Sequence, residues 1–420
     1  MCVVQKSELK QRRGKQEEAE TTSIVEDAYD GGKAKGRKVK TDRRLGRMKK
    51  RVGTGKMLLF MTGFLSIVGG ILYYFYSKYG INIFIGHGAL DFKWSPYEWR
   101  KFIDDNDKTI LLIGGSHRSG TTILWEAIKA HPEVVGFGDR TETGVDYSEG
   151  VLFQEVYPRF GVGLEFKKNF GAPKRVTGED AENGDGMGRY ALAPGVHWTK
   201  ENHKDLLEDA STLSKLLNRF APYWDTTKSY GSNGLKRAKV WVEKSPQNAV
   251  LSSFLEGLYN MQVKEDGSVD PNTNSERTVT KFLYVTRHPI ANTYAVDKFV
   301  KESMGGYIDF EVMFRNYIQL HKYMKEDEHA MDSPAMWAKL EDFTQDPANI
   351  LKGIFQFLEV STDDEIIADI LDSLGEIRAN PNAKYNAMYC SEGIQEYGDL
   401  AKKYEEEFNA LNLGYDMDIC

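Results

Sequence analysis

The segment TILLIGGSHRSGTTILWEAI, running from Thr109 to Ile128, places an apolar run, a glycine-rich turn and an amphipathic run in direct succession. A short apolar run bounded by glycines reads as a buried strand, and the apolar spacing after it reads as a helix. That order commits the chain to an α/β architecture with the turn at the strand's carboxyl end. In Gly115-Ser116-His117-Arg118-Ser119-Gly120-Thr121-Thr122 the two glycines have the spacing of a nucleotide phosphate loop. Successive backbone N–H groups and the positive end of the following helix form a nest for an anion. Glycine permits close backbone approach, and Thr121 and Thr122 add hydroxyl donors. A triphosphate hydrolase needs Lys where this chain has Thr121, and the loop's cation is Arg118, three residues earlier. The substitution argues against ordinary triphosphate hydrolysis and for another phosphate-bearing donor. A plain strand–turn–helix joint without a ligand is the alternative.

Further along, strands are expected at Thr109–Ile113, Val240–Val242, Phe282–Thr286 and Met336–Leu340. Helices are expected at Thr121–Ala130, Asn248–Leu258, Ile290–Val300, Phe310–Met324 and Asn349–Leu358. Strands interleaved with helices imply crossover connections, hence a three-layer, P-loop-like α/β fold with a mostly parallel sheet flanked by helices. Two polar, glycine-rich stretches, Lys167–Arg189 and Glu265–Lys281, read as surface insertions.

The formal net charge of -7 is a sum over two unlike parts. Residues 1–56 carry 17 Lys/Arg and 8 Asp/Glu, or +9, which leaves 38 basic and 54 acidic residues, or -16, for the remainder. Between them Met57–Tyr76 runs 20 residues without a charge. About 20 apolar residues span a ~30 Å hydrocarbon core, so one transmembrane helix is expected. More than fifty residues precede it, which suits a retained signal-anchor better than a cleaved leader. The basic N-terminal flank then places the tail in the cytosol and the rest in a lumen, as in a single-pass type II membrane protein. The expected organisation is a disordered basic tail at 1–56, the anchor at 57–76, a stem at 77–92 and one lumenal domain at 93–420. The basic tail reads as a topology signal drawn to anionic lipid rather than as a nucleic-acid patch. After the anchor the sequence holds no N-x-S/T sequon. Cys390 and Cys420 are able to pair in an oxidising lumen, but sequence does not decide whether they do.

The loop, with VWVEKSPQN at Val240–Asn248 and KFLYVTRHPIANTYA at Lys281–Ala295, resembles the sulfotransferases that use 3′-phosphoadenosine 5′-phosphosulfate (PAPS). The first segment is similar to their 5′-phosphosulfate loop, and the second to the E-K-[ST]-P segment of Golgi carbohydrate sulfotransferases. The third is similar to the strand–Arg–x-Pro–helix that binds the donor's 3′-phosphate. Weaker echoes lie at Ser148–Pro158, Ala221–Asp225 and Leu340–Pro347, in the expected order. The resemblance implies that Gly115 to Thr122 hold the 5′-phosphosulfate and Arg287 the 3′-phosphate. It also implies that Arg118 and Lys244 stabilise the leaving phosphate and the sulfuryl group. The family usually carries Ser eight residues after that Arg, where this chain has Ala295; Thr293 is the nearby hydroxyl.

An acceptor hydroxyl needs a general base. Protein-tyrosine sulfotransferases carry theirs in G-E-E-T-R; here Gly138-Asp139-Arg140-Thr141-Glu142 occupies the region without matching it. Glu142 is the favoured candidate, with Asp139 and Glu149 as others. His131 reads as a helix cap, and Trp198, Trp224 and Trp241 as core aromatics. The His and Cys spacing shows no metal site, which agrees with the metal-independent chemistry of the family. The resemblance therefore implies a Golgi membrane enzyme transferring sulfuryl from PAPS to a hydroxyl or amine, with a glycan favoured as acceptor. Protein tyrosine is the alternative acceptor, and a non-catalytic Golgi binding protein on the same fold is the alternative of another class.

Overall fold

The fold is described from a computed structural model over residues 93–136, 175–176, 179, 182, 191–225, 234–270, 278–304 and 306–420. The expected membrane span at Met57–Tyr76 lies outside these residues. Among the described residues no helix is long and apolar enough to cross a membrane.

Five strands form the central sheet: β1 (Thr109–Gly115), β2 (Val134–Val135), β3 (Val240–Lys244), β4 (Thr280–Thr286) and β5 (Ala335–Lys339). Their spatial order is β2-β3-β1-β4-β5, and every pairing is parallel. β1 is central, with Ile113 in register with Lys244 on one side and Gly115 with Val285 on the other. Six of its seven residues are buried, as expected of a strand covered on both faces.

The helices follow in chain order: α1 (Pro96–Asp105), α2 (Thr121–Lys129), α3 (Ser211–Asp225), α4 (Asn248–Asn260), α5 (Pro289–Met304) and α6 (Phe310–Ala330). Then come α7 (Leu340–Gln345), α8 (Pro347–Phe357), α9 (Asp364–Leu374), α10 (Ala383–Met388) and α11 (Ile394–Ala410). One face of the sheet carries α2, α8 and α9; the other carries α1, α3, α4 and α6. The Ser95 side chain accepts from the Glu98 amide and Glu98 accepts from the Ser95 amide, a capping box that starts α1.

Trp99, Phe102, Trp224 and Trp241 interlock beneath β3, and the Trp224 indole N–H donates to the Val242 carbonyl at 3.1 Å. Trp198 stacks on His203 and donates to the Gly195 carbonyl. These three tryptophans are core, as their flanking sequence suggests. His131 differs from its expected role as a charged cap. It is fully buried against Phe355; Nδ1 accepts from the Glu133 amide, and Nε2 therefore carries the proton toward the Ser361 carbonyl. Burial pushes its pKa down, so it ties the turn after α2 to the start of α9 as a neutral ring.

A second apolar cluster joins α5, α6 and α11 through Ile290, Phe310, Phe314, Tyr404 and Phe408. Cys390 and Cys420 are disulfide-bonded, closing the chain beyond α10 onto its own end. Constraining a loop of separation 30 stabilises by about 3–4 kcal/mol in the chain-entropy picture.

Candidate functional site

β1 delivers the glycine-rich loop to the carboxyl edge of the sheet, where strand order reverses around β1 and ligands of open α/β sheets collect. Gly115 has a φ of +153°, and a Cβ there would stand 2.4 Å from the Val285 carbonyl oxygen, so the loop's departure from β1 requires glycine. Gly120 is the N-cap of α2 and leaves that helix start without a side-chain cap. The first-turn amides of a helix have no intrahelical acceptor, so an anion is a natural partner for them. Arg118 adopts a φ of 66°, a left-handed conformation that costs a side-chain-bearing residue about 1–2 kcal/mol. Strain of that kind collects at functional turns. Its guanidinium is exposed and lies 5.2 Å from the Phe299 ring centroid.

Ser116 and Ser119 sit in the same turn with buried hydroxyls that find no hydrogen-bond partner. A buried hydroxyl left unmade costs about 1–3 kcal/mol, which a bound anion would recover. Thr121 is buried beneath the loop and Thr122 is half-buried beside it. A cleft of about 440 Å³, open mouth included, lies against Ser116, His117, Asn292, Thr293, Asn316 and Tyr317. Its apolar side is Val296, Ile308, Val312 and Met313.

Arg287 follows β4 and meets the loop directly. One guanidinium nitrogen, Nη1, donates to the Arg118 carbonyl at 3.0 Å, Nη2 to the Pro381 carbonyl at 2.7 Å, and Nε to Asn382 Oδ1 at 2.9 Å. The group is 6% exposed and lies 5.0 Å from the Tyr385 ring centroid. Burial lowers its pKa, yet a guanidinium stays charged at neutral pH. All three acceptors are neutral, and among the described residues no carboxylate oxygen lies within 4 Å of it. Among the described residues the site therefore holds a buried cation whose direct hydrogen-bond partners are all neutral.

The Asn292 carboxamide donates to the His117 carbonyl at 2.9 Å, fixing α5 to the loop. Thr293, one residue on, donates its hydroxyl to the Pro289 carbonyl at 2.9 Å, which commits its proton within the helix. Lys244 ends β3 fully buried, in register with Ile113 two residues before the loop's first glycine. On its strand the neighbouring Glu243 faces the other side, where the Asn248 carboxamide donates to it at 2.6 Å and Ser245 closes a short bond.

The structure thus brings together Gly115 to Thr122, Arg287 and Thr293, with Lys244 next to the loop's root. Asp139, Glu142 and Glu149, the candidate bases, lie outside the described residues. Asn292, Asn382 and Glu341 were not singled out from sequence. Asn292 had a faint local signal, a carboxamide one turn into the helix after Arg287; Glu341 lies 53 residues beyond His288 and Asn382 lies 95 beyond Arg287.

No protein-family model matches the sequence, and no curated protein matches it. Among solved structures, it is similar to the sulfotransferase domain of the Synechococcus PCC 7002 olefin synthase. That likeness is 16% identity over 66% of this chain and 86% of the other, with a TM-score of 0.34. The sulfotransferase domain of the curacin biosynthetic pathway is 16% identical over 62% of this chain and 76% of its own, at a TM-score of 0.33. A sulfotransferase from Mycobacterium avium is 14% identical over 71% of this chain and 79% of its own, at 0.33. Likenesses this distant assign neither a family nor a function.

Proposed function

We propose that the chain transfers a sulfuryl group from PAPS to a hydroxyl or amine acceptor, with a glycan hydroxyl the favoured one. The observation that carries this reading is Arg287: a buried guanidinium with no carboxylate oxygen within 4 Å among the described residues, bonded directly to the glycine-rich loop. A donor with phosphates at both its 3′ and 5′ positions satisfies the two halves at once. The loop amides and the Ser116 and Ser119 hydroxyls take the 5′-phosphosulfate, and the remaining N–H groups of Arg287 take the 3′-phosphate. A triphosphate offers nothing to Arg287 that it does not also offer to the loop.

In the reaction the acceptor oxygen attacks sulfur and the bond from sulfur to the bridging phosphate oxygen breaks. The acceptor proton passes to a carboxylate, for which Glu142 is proposed, with Asp139 and Glu149 as the other candidates. 3′-Phosphoadenosine 5′-phosphate leaves. Charge builds on the leaving phosphate, and Arg118 and Lys244 are the cations assigned to it. The Arg118 side chain is exposed beside the Phe299 ring, open to an incoming acceptor.

The proposed setting is the Golgi lumen, with a type II anchor at Met57–Tyr76. The basic flank of that segment supports the orientation, and the Cys390–Cys420 disulfide suits an oxidising compartment. Transfer of radiolabelled sulfate from PAPS to a panel of glycans and tyrosine peptides tests the reaction. Wild type is expected to label a glycan, and Arg118→Ala and Lys244→Ala to lose about 100-fold or more. A wild type as inert as both variants would end the catalytic reading.

A further inference from the structure

Arg287 is held by a relay that ends at Tyr415. Its Nε bond goes to Asn382 Oδ1, and the Asn382 Nδ2 donates to Glu341 Oε1 at 2.5 Å. Glu341 also accepts from the His288 amide at 2.8 Å and from the Tyr415 hydroxyl at 3.2 Å. Tyr415 OH lies 2.8 Å from Thr286 Oγ1, on the last residue of β4. Two more contacts dock the same segment: His288 Nε2 on the Asp416 carbonyl at 2.7 Å, and Lys339 Nζ on the Gly414 carbonyl at 3.2 Å. The chain then ends at Cys420, bonded to Cys390 in the turn directly after α10. Asn382 is the N-cap of α10. Residues 411–420 thus form a strap with one hold on the end of β4 and the other on the segment that carries Asn382.

We propose that Tyr415 is a positioning residue for Arg287, and that the Cys390–Cys420 bond keeps the strap where Tyr415 can act. The proposal rests on the reading that Arg287 binds the donor's 3′-phosphate. A guanidinium recognises phosphate with its planar fork, so its orientation matters as much as its charge. Here the plane is set by Asn382 together with the Arg118 and Pro381 carbonyls; the Asn382 amide is fixed by Glu341, whose carboxylate is fixed in turn by Tyr415. Burial, with Tyr317 and Glu341 alongside, pushes the Tyr415 phenol above its ordinary range, so it keeps the proton it donates. Without that donor Glu341 Oε2 loses its hydrogen bond, and the carboxylate, held through Oε1 by the His288 amide and Asn382, swings about that oxygen toward the guanidinium. A carboxylate that turns onto Arg287 competes with the phosphate for the same N–H groups.

Calorimetric binding of two nucleotides to the full chain tests this: 3′-phosphoadenosine 5′-phosphate, which engages Arg287, and adenosine 5′-phosphate, which does not. The readout is the ratio of their affinities, which a loss of overall stability leaves unmoved. Tyr415→Phe is expected to weaken the bisphosphate about five- to tenfold and leave the monophosphate within twofold. The Cys390→Ser/Cys420→Ser double variant is expected to shift the ratio in the same direction. A ratio unchanged in Tyr415→Phe refutes the positioning role, and an unchanged ratio in the cysteine variant refutes the strap's part in it. Equal weakening of both nucleotides shows a structural role only and also refutes it. A wild type that does not distinguish the two nucleotides overturns the underlying assignment of Arg287, and this proposal falls with it.

Discussion

Replacing Gly115 by Ala is the sharpest test of how the glycine-rich loop leaves the sheet. The new Cβ would stand 2.4 Å from the Val285 carbonyl oxygen, against about 3.4 Å for ordinary contact, so β1 and β4 must part by roughly 1 Å. Gly115 and Val285 are register partners, so the separation falls on the last rung of that pairing. The φ of +153° adds strain of about 1–3 kcal/mol for a residue with a Cβ. One weakened ladder hydrogen bond adds about 1 kcal/mol, and partial overlap adds about 1–2 more. The expected loss is about 3–6 kcal/mol, read as a fall in the urea midpoint. Gly195→Ala is the control. Its φ of +72° is also positive, but nothing lies within 4 Å of the new Cβ, so only about 1–2 kcal/mol is expected. At concentrations of urea where both variants remain folded, Gly115→Ala should also bind 3′-phosphoadenosine 5′-phosphate at least tenfold more weakly, because the loop amides have moved. Equal stability losses in the two variants would refute the close-approach argument.

Thr293→Val should leave binding of the same nucleotide within about threefold, because the hydroxyl's proton already serves the Pro289 carbonyl; a tenfold loss on titration would restore Thr293 as a phosphate contact. Acid should destabilise the fold through its buried histidines. His321 is fully buried with its pKa pushed down to about 4, and burial also lowers His131 and His288. Each is neutral in the fold and takes a proton near pH 6.5 when unfolded, so the unfolded chain binds more protons below that pH. Stability is therefore full above pH 6.5 and falls toward pH 4, by about 3 kcal/mol for His321 alone. Urea midpoints measured from pH 7.5 to 4.5 should show this, and His321→Asn should flatten the slope; a midpoint that rises on acidification would contradict it. Lys244→Met should lower transfer activity about 100-fold in the sulfate-transfer assay, because the cation assigned to the leaving phosphate is gone. A large stability loss without a specific loss of activity would make Lys244 structural.

The parts of the fold that local pattern dictates were legible from residues alone. β1, β3, β4 and β5 and helices α2, α4, α5 and α8 fall within a few residues of where apolar runs and helical spacing put them, while α6 runs six residues past its expected end and α7 was not expected. α1 and α3 were passed over for opposite reasons. The capping box at Ser95 and Glu98 was a readable start signal, whereas Pro222 inside α3 reads as a helix breaker. The short strand at Val134–Val135 has too few residues to show any period. At the site, the loop and Arg287 were visible because strand, turn and helix are contiguous there. The Asn382–Glu341–Tyr415 relay was not, because its members come from separate elements and no spacing connects them. Only the fold decides that a carboxamide at a helix N-cap and a phenol near the chain end meet around one carboxylate. The pairing of Cys390 with Cys420 belongs to the same class: sequence allowed it, and the path of residues 411–420 over β4 and β5 brings it about.

The loop and Arg287 are together proposed as a site for a nucleotide with phosphates at the 3′ and 5′ positions of its ribose. Isothermal titration of the purified protein with 3′-phosphoadenosine 5′-phosphate and with ATP, at one ionic strength, measures that most directly. The bisphosphate is expected to bind at least tenfold more tightly, with the preference abolished in Arg287→Ala. ATP binding as tightly as the bisphosphate or more so, or a preference untouched by Arg287→Ala, would contradict it.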